Sequence, residues 1–93
     1  MQNAIYLLNS RSGLYKIPCL EGYGAYLVLG FMQNVGAISL SVVVNSKNVS
    51  INNFYGVETA INSLKISCSN NELVFEPIDE YHDFVLKVIG QSA

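Results

Sequence analysis

Charge is what this chain has least of. Asp, Glu, Lys and Arg make up 13% of its 93 residues, against roughly 25% in ordinary globular domains. Not one of them, nor any His, occurs from Gly22 to Ser46. Charge is a main device that keeps folded domains apart, so part of the apolar excess is expected to be buried against something. Trp is absent, and Cys and Pro occur twice each. Two thiols are too few for a disulfide scaffold and lack the C-x-x-C spacing of zinc and redox sites. Cys19 and Cys68 therefore read as small buried hydrophobes, with one disulfide open to them if the chain is exported. His82 is the single imidazole, flanked by Tyr81 and Asp83. Acid–base or nucleophilic catalysis would have to run through it or through an isolated carboxylate. Gly22-Tyr23-Gly24 lacks the further Gly or Lys-Ser/Thr of a phosphate loop. The expectation is a protein that is not an enzyme, with no catalytic residues, cofactor or metal site.

Apolar residues, in contrast, reach 51%, ten of the side chains being aromatic. That composition excludes intrinsic disorder, which requires low hydrophobicity and high net charge. The length fits one domain, 1–93, able to bury roughly 60 to 65% of its unfolded surface. Net charge is −2, but the halves differ: residues 1–50 sum to +2 and residues 51–93 to −4. Neither half offers the basic stripe that nucleic acid needs. The N-terminal residues Met-Gln-Asn-Ala have no basic n-region, and Ala4 to Leu8 is short for a signal peptide's apolar core, which suggests a cytoplasmic protein. Asn48-Val49-Ser50 matches a glycosylation acceptor, a pattern too short to carry weight in an Asn- and Ser-rich chain.

Residues 24–44 are long and apolar enough to raise the question of a membrane span. Three features speak against it. Gln33-Asn34-Val35-Gly36 falls in the middle and reads as a turn. Ile38 and Val42 to Val44 are β-branched and favour a pleated strand. The Lys/Arg clusters that flank and orient spans are missing. The stretch reads as a β-hairpin of two long strands.

Ala4 to Leu8 and Leu14 to Ile17, separated by the turn formers Asn9 to Gly13, read as a first hairpin. Strands Ala25 to Met32 and Ala37 to Asn45 follow. In the second of these, Ile38, Leu40 and Val42 alternate with Ala37, Ser39 and Ser41, giving one buried face. The first is apolar on both faces, which suggests a central strand covered on both sides by helix, by a second sheet or by a partner chain. Phe54, Val57, Ala60, Ile61 and Leu64 then fall at helical spacing, continued by Cys68, with Asn52 or Asn53 as N-cap, so one amphipathic helix is expected over 54–67. Glu72 to Ile78 reads as a strand with Leu73 and Phe75 inward. Tyr81 to Ile89 suits a strand, with Phe84, Leu86 and Val88 alternating, or a helix capped by Asp79; its β-prone residues favour the strand, with Pro77 to Glu80 as the hairpin turn. The order β-β-β-β-α-β-β implies an α+β fold: an antiparallel sheet of five to six strands with one amphipathic helix packed on one face. OB-fold and SH3-like barrels are the runner-up architectures.

Five acids crowd into Glu72, Glu76, Asp79, Glu80 and Asp83. Their spacing does not match a calcium loop, which has a central Gly. One role is to solvate a sheet edge against edge-to-edge pairing. A sharper one is to form, with Tyr81 and exposed aromatics such as Tyr55, the acidic side of an electrostatically steered contact with a basic protein surface. In size, acidity and lack of catalytic apparatus the chain resembles immunity proteins of bacterial toxins and phage-encoded inhibitors, although no motif ties it to either. The leading expectation is a non-enzymatic protein-binding module that blocks a partner through this acidic face. The alternative is a structural or assembly subunit that forms a β-rich homo-oligomer through its uncharged strands. Neither nucleic acid nor membrane is an expected partner.

Overall fold

A computed structural model describes residues 2–10, 15–78 and 82–92; for 2–10 it describes the backbone alone. Among the described residues, eight strands and one short helix follow one another: β1 Gln2–Ser10, β2 Tyr15–Pro18, β3 Tyr23–Met32, β4 Gly36–Asn45, β5 Asn48–Gly56, α1 Glu58–Asn62, β6 Leu64–Ser69, β7 Glu72–Pro77 and β8 Phe84–Ser92. They form two sheets, one of five strands ordered β1-β8-β3-β4-β5 and one of three ordered β2-β7-β6. Every pairing is antiparallel. The inner faces of the two sheets meet in one core, as in a β-sandwich.

Period-two alternation builds that core. Tyr26, Val28 and Met32 of β3, Ile38, Leu40, Val42 and Val44 of β4, and Phe84, Leu86 and Val88 of β8 point inward and are buried. Ile17, Cys19, Leu73 and Phe75 close over them from the smaller sheet. A polar tie joins the layers at one end. The Tyr26 hydroxyl and Ser92 Oγ each donate to the Pro18 carbonyl at 3.2 Å, linking β3 and β8 to the end of β2. The Tyr26 ring occupies the space above Gly24 and Gly90, where an added Cβ would strike it.

Tight turns set the hairpins. Ser46-Lys47 and Asn70-Asn71 each have two consecutive positive φ angles, 51° and 70° in the first pair and 52° and 63° in the second. That is the type I′ geometry matching strand twist. Asn34, at φ 64°, closes the β3–β4 connection. Four connections change sheet: that from β1 to β2, Cys19 to Gly22 between β2 and β3, α1 between β5 and β6, and that from β7 to β8.

The α+β expectation is overturned, since no amphipathic helix packs on a sheet face. Within the span read as helix 54–67, residues 54–56 finish β5, α1 is five residues long, and residues 64–67 begin β6. The expected caps Asn52 and Asn53 lie inside β5, while the observed N-cap, Val57, makes no side-chain capping bond. Of the expected apolar stripe, Phe54 and Val57 face solvent. The first hairpin is also corrected: β1 pairs with β8, and β2 pairs with β7 in the other sheet. Likewise β7 and β8 are not a hairpin, because they belong to different sheets. The β3–β4 hairpin, the inward Leu73 and Phe75, and strand character in the last segment agree with the sequence reading. No helix among the described residues is long and apolar enough to cross a membrane.

Two substitutions probe this arrangement. A Cβ at Gly30 would run into the Val85 carbonyl oxygen and lie 2.9 Å from Leu86 Cα, both backbone atoms of a paired strand. Gly30→Ala is expected to lower stability by about 2 kcal/mol; an unchanged urea midpoint would refute the close β3–β8 packing. Lys47 holds an αL conformation that disfavours residues with a Cβ, so Lys47→Gly is expected to raise stability by about 0.5 kcal/mol. The same urea titration, read for an upward shift, checks it.

Candidate functional site

The five-stranded sheet has a second face, turned away from the core. It arises because β3 is apolar on both sides while the pleat admits only alternate residues to the core. Leu27, Leu29 and Phe31 therefore stand outside, 37%, 36% and 43% exposed, with Val43 of β4 at 47%. Register aligns them in rungs. Leu27 lies between Ile89 and Ser41, and Phe31 between Val85 and Ala37. Leu29 lies between Lys87 and Ser39, with Tyr55 of β5 beyond. On the other side, Ile5 and Leu7 of β1 occupy the register positions opposite Ile89 and Lys87. Small polar groups fill the β4–β5 half: Ser39, Ser41, Ser50 and Asn52.

Charge is distributed unequally between the sheets. Among strand residues, Lys16, Lys65, Glu72 and Glu76 belong to the three-stranded sheet, whereas the five-stranded sheet has only Lys87. Of the three covers expected for β3, the second sheet lies on one side, while among the described residues neither helix nor sheet covers Leu27, Leu29 and Phe31 on the other, which leaves a partner chain for that side.

The residues expected to form an acidic contact fall in three places. Glu72 and Glu76, both half-buried, lie on the outer side of the three-stranded sheet, bordering a shallow depression shared with Lys16, Ser67 and Val74. Glu76 is in register with Lys65, and Lys16 with Val74, so cations intersperse these carboxylates. Asp83 is half-buried ahead of β8, where its backbone carbonyl accepts the Gln33 N–H at 2.7 Å. Asp79, Glu80 and Tyr81 lie outside the described residues. Tyr55 is 69% exposed and belongs to the neutral face of the other sheet. His82 is half-buried beside Asp83. Among the described residues no group of three or more His, Cys, Asp and Glu side chains could hold a metal ion.

A further concavity follows from the unequal widths of the sheets. Three strands do not cover five, and a cleft of about 150 Å³ remains where β5 overhangs β6, lined by Ile38, Leu40, Ile51, Ile61, Leu64 and Ile66 with the amide of Asn53. Beside it, a bulge in β5 leaves Phe54 without a partner opposite Ser39 and Leu40.

No protein-family model matches the chain, and no curated protein is similar to it in sequence. Among solved structures, it is similar to the tailspike protein gp49 of Acinetobacter baumannii bacteriophage Fri1, a capsular polysaccharide depolymerase, with a TM-score of 0.54 and 16% identity. The likeness covers 98% of this chain and 17% of the tailspike, so the chain spans about a sixth of that protein's length. What the two share is a fold.

Proposed function

We propose that this protein is a non-enzymatic assembly module which buries the outer face of its five-stranded sheet against a second copy of the same chain. One observation carries the reading: a broad sheet face that exposes Leu27, Leu29, Phe31 and Val43 and whose strand residues include Lys87 as their single charge. Its size suits the role. Five strands about 4.8 Å apart and about nine residues long, at ~3.3 Å per residue, give a face of roughly 700 Å². A standard interface takes about 800 Å² from each partner.

The neutrality of the face favours self-association. It has no charge pattern with which to select a partner of opposite sign, and a second copy presents the same area and composition. Lys87 sits one strand away from the middle strand and can extend its ammonium toward the rim while its stem covers apolar surface. The likeness to a portion of a tailspike supports a building-block role, because there the similar fold forms one part of a much longer chain. Inhibition of a basic partner through Glu72, Glu76 and Asp83 has less behind it, since lysines stand among the first two and Asp83 lies apart. A cytoplasmic setting, where both thiols stay reduced, belongs to the same proposal.

Sedimentation equilibrium tests it. The wild-type chain at roughly 10 µM, a concentration that a standard interface tolerates, is expected to sediment as a dimer or larger closed oligomer. Leu29→Glu combined with Phe31→Ser is expected to weaken association about a hundredfold while leaving the circular dichroism unchanged. A wild-type monomer across the micromolar range would refute the reading.

A further inference from the structure

β5 is an outer strand of the five-stranded sheet, on the side where the sandwich stays open. Its hydrogen bonding follows from its hairpin. Ser46-Lys47 is a two-residue turn of type I′ geometry, so Asn45 and Asn48 face each other as a hydrogen-bonded pair. Antiparallel ladders alternate bonded and non-bonded pairs, which makes Val43 with Ser50 and Ser41 with Asn52 bonded as well. Val49, Ile51 and Asn53 therefore turn their N–H and C=O groups away from β4, toward the open edge.

Side-chain direction is fixed at the same three residues. Opposed residues of a ladder share a face, and Val49, Ile51 and Asn53 stand opposite Val44, Val42 and Leu40, all buried in the core. Val49 packs against that core, while Ile51 and Asn53 line the cleft beside β6. A strand added antiparallel to β5 would bond through the residues opposite Val49, Ile51 and Asn53, and those same residues would point their side chains to the cleft side. The cleft, about 150 Å³ with Ile61, Leu64 and Ile66 in its lining, has room for one ring, since an aliphatic cavity of about that volume takes up benzene. Nothing on β5 discourages the pairing: it has no charge and no Pro, and its bulge falls beyond Asn53.

We propose that the β5 edge binds an extended, uncharged peptide segment of another protein as a sixth, antiparallel strand, with one aromatic or large aliphatic side chain seated in the cleft between β5 and β6. Main-chain bonds hold such a strand, and the pocket selects it. A second copy fits the edge less well. Pairing through its own β5 would bring its own cleft alongside, so two hollows would meet with no side chain beyond those that already line them, and unfilled apolar space is unfavourable. The site is separate from the outer sheet face. The cleft lies on the core side of β5, and a copy stacked on Leu27, Leu29 and Phe31 leaves it open.

The probe is the synthetic peptide Lys-Thr-Val-Thr-Phe-Thr-Val-Thr-Lys, acetylated and amidated, titrated into the isotope-labelled whole chain and followed by NMR. Saturable shifts of the Val49, Ile51 and Asn53 amides are expected, with slower exchange of these amides with solvent. Replacing the peptide's Phe by Ala is expected to weaken binding about tenfold or more. N-methylation of the Phe amide, which points at β5, is expected to abolish binding; N-methylation of the Thr that follows it, whose amide points away, is expected to leave binding unchanged. Ile51→Pro removes an outward N–H and none of the β4–β5 bonds, so this variant is expected to keep its fold and lose the peptide. Equal binding of the two methylated peptides would overturn the proposal, because the cleft would then collect apolar groups without a strand. So would an absence of shifts with the unmodified peptide. Exchange at Val49, Ile51 and Asn53 that slows in the free chain as its concentration rises would place a second copy on the edge and overturn it as well. These readings use the wild-type chain and stand even where Ile51→Pro disturbs the fold.

Discussion

The pleat of β3 constrains everything else in this protein. A strand can deliver only every second residue to one side, and from Ala25 to Met32 nearly every residue is apolar. Tyr26, Val28 and Met32 are enough to anchor the core between β4 and β8, so Leu27, Leu29 and Phe31 are left over on the outside. A one-residue slip of register would exchange the two sets without removing the surplus. The open apolar face is therefore a direct consequence of composition, and a protein that buries it needs no element beyond the sheet itself.

The second sheet is narrower than the first, and the chain manages the difference in distinct ways at its two ends. Near β2 the layers are held by the Pro18 carbonyl, which accepts hydroxyl bonds from Tyr26 and Ser92. The Tyr26 ring fills the room vacated by Gly24 and Gly90, so a bulky aromatic and two missing side chains form one packing unit. Near β6 no such tie is present among the described residues, and the overhanging β5 leaves the cleft between Ile51 and Ile66. α1 bridges the sheets at that side with the small buried Ala60 and the larger Ile61.

The sequence made the central hairpin legible because Ile38, Leu40 and Val42 alternate with small residues and Gln33-Asn34-Val35-Gly36 supplies the turn. It misled over residues 54–67, where Phe54, Val57, Ala60, Ile61 and Leu64 imitate a helical stripe while Phe54 falls in β5, Ala60 and Ile61 in α1, Leu64 in β6 and Val57 between the first two. The competing signal was present. Leu64, Ile66 and Cys68 alternate with Lys65 and Ser67 ahead of Asn70-Asn71, a pair suited to two positive φ angles and so to a hairpin. The pairings β1–β8 and β2–β7 had no local signature, since short strands that join distant partners look the same as strands of a hairpin. The neutral face was legible as an absence of charge; its openness was not, because an all-apolar strand reads equally well as covered on both sides.

Edge protection follows the same division between the sheets. Unpaired strand edges invite further pairing, and proteins commonly blunt them with Lys, Pro or bulges. The outer strands of the three-stranded sheet carry Lys16, Pro18 and Lys65. The outer strands of the five-stranded sheet, β1 and β5, contain neither charge nor Pro, and β5 has only its bulge at Phe54. Blunted edges and interspersed charges thus coincide on one sheet, whereas bare edges and exposed Leu, Phe and Val coincide on the other. A single layer left neutral on both its face and its margins suits contact with protein better than contact with water. On that ground the proposed contact with a second copy is placed on the five-stranded sheet and not on Glu72, Glu76 and Asp83.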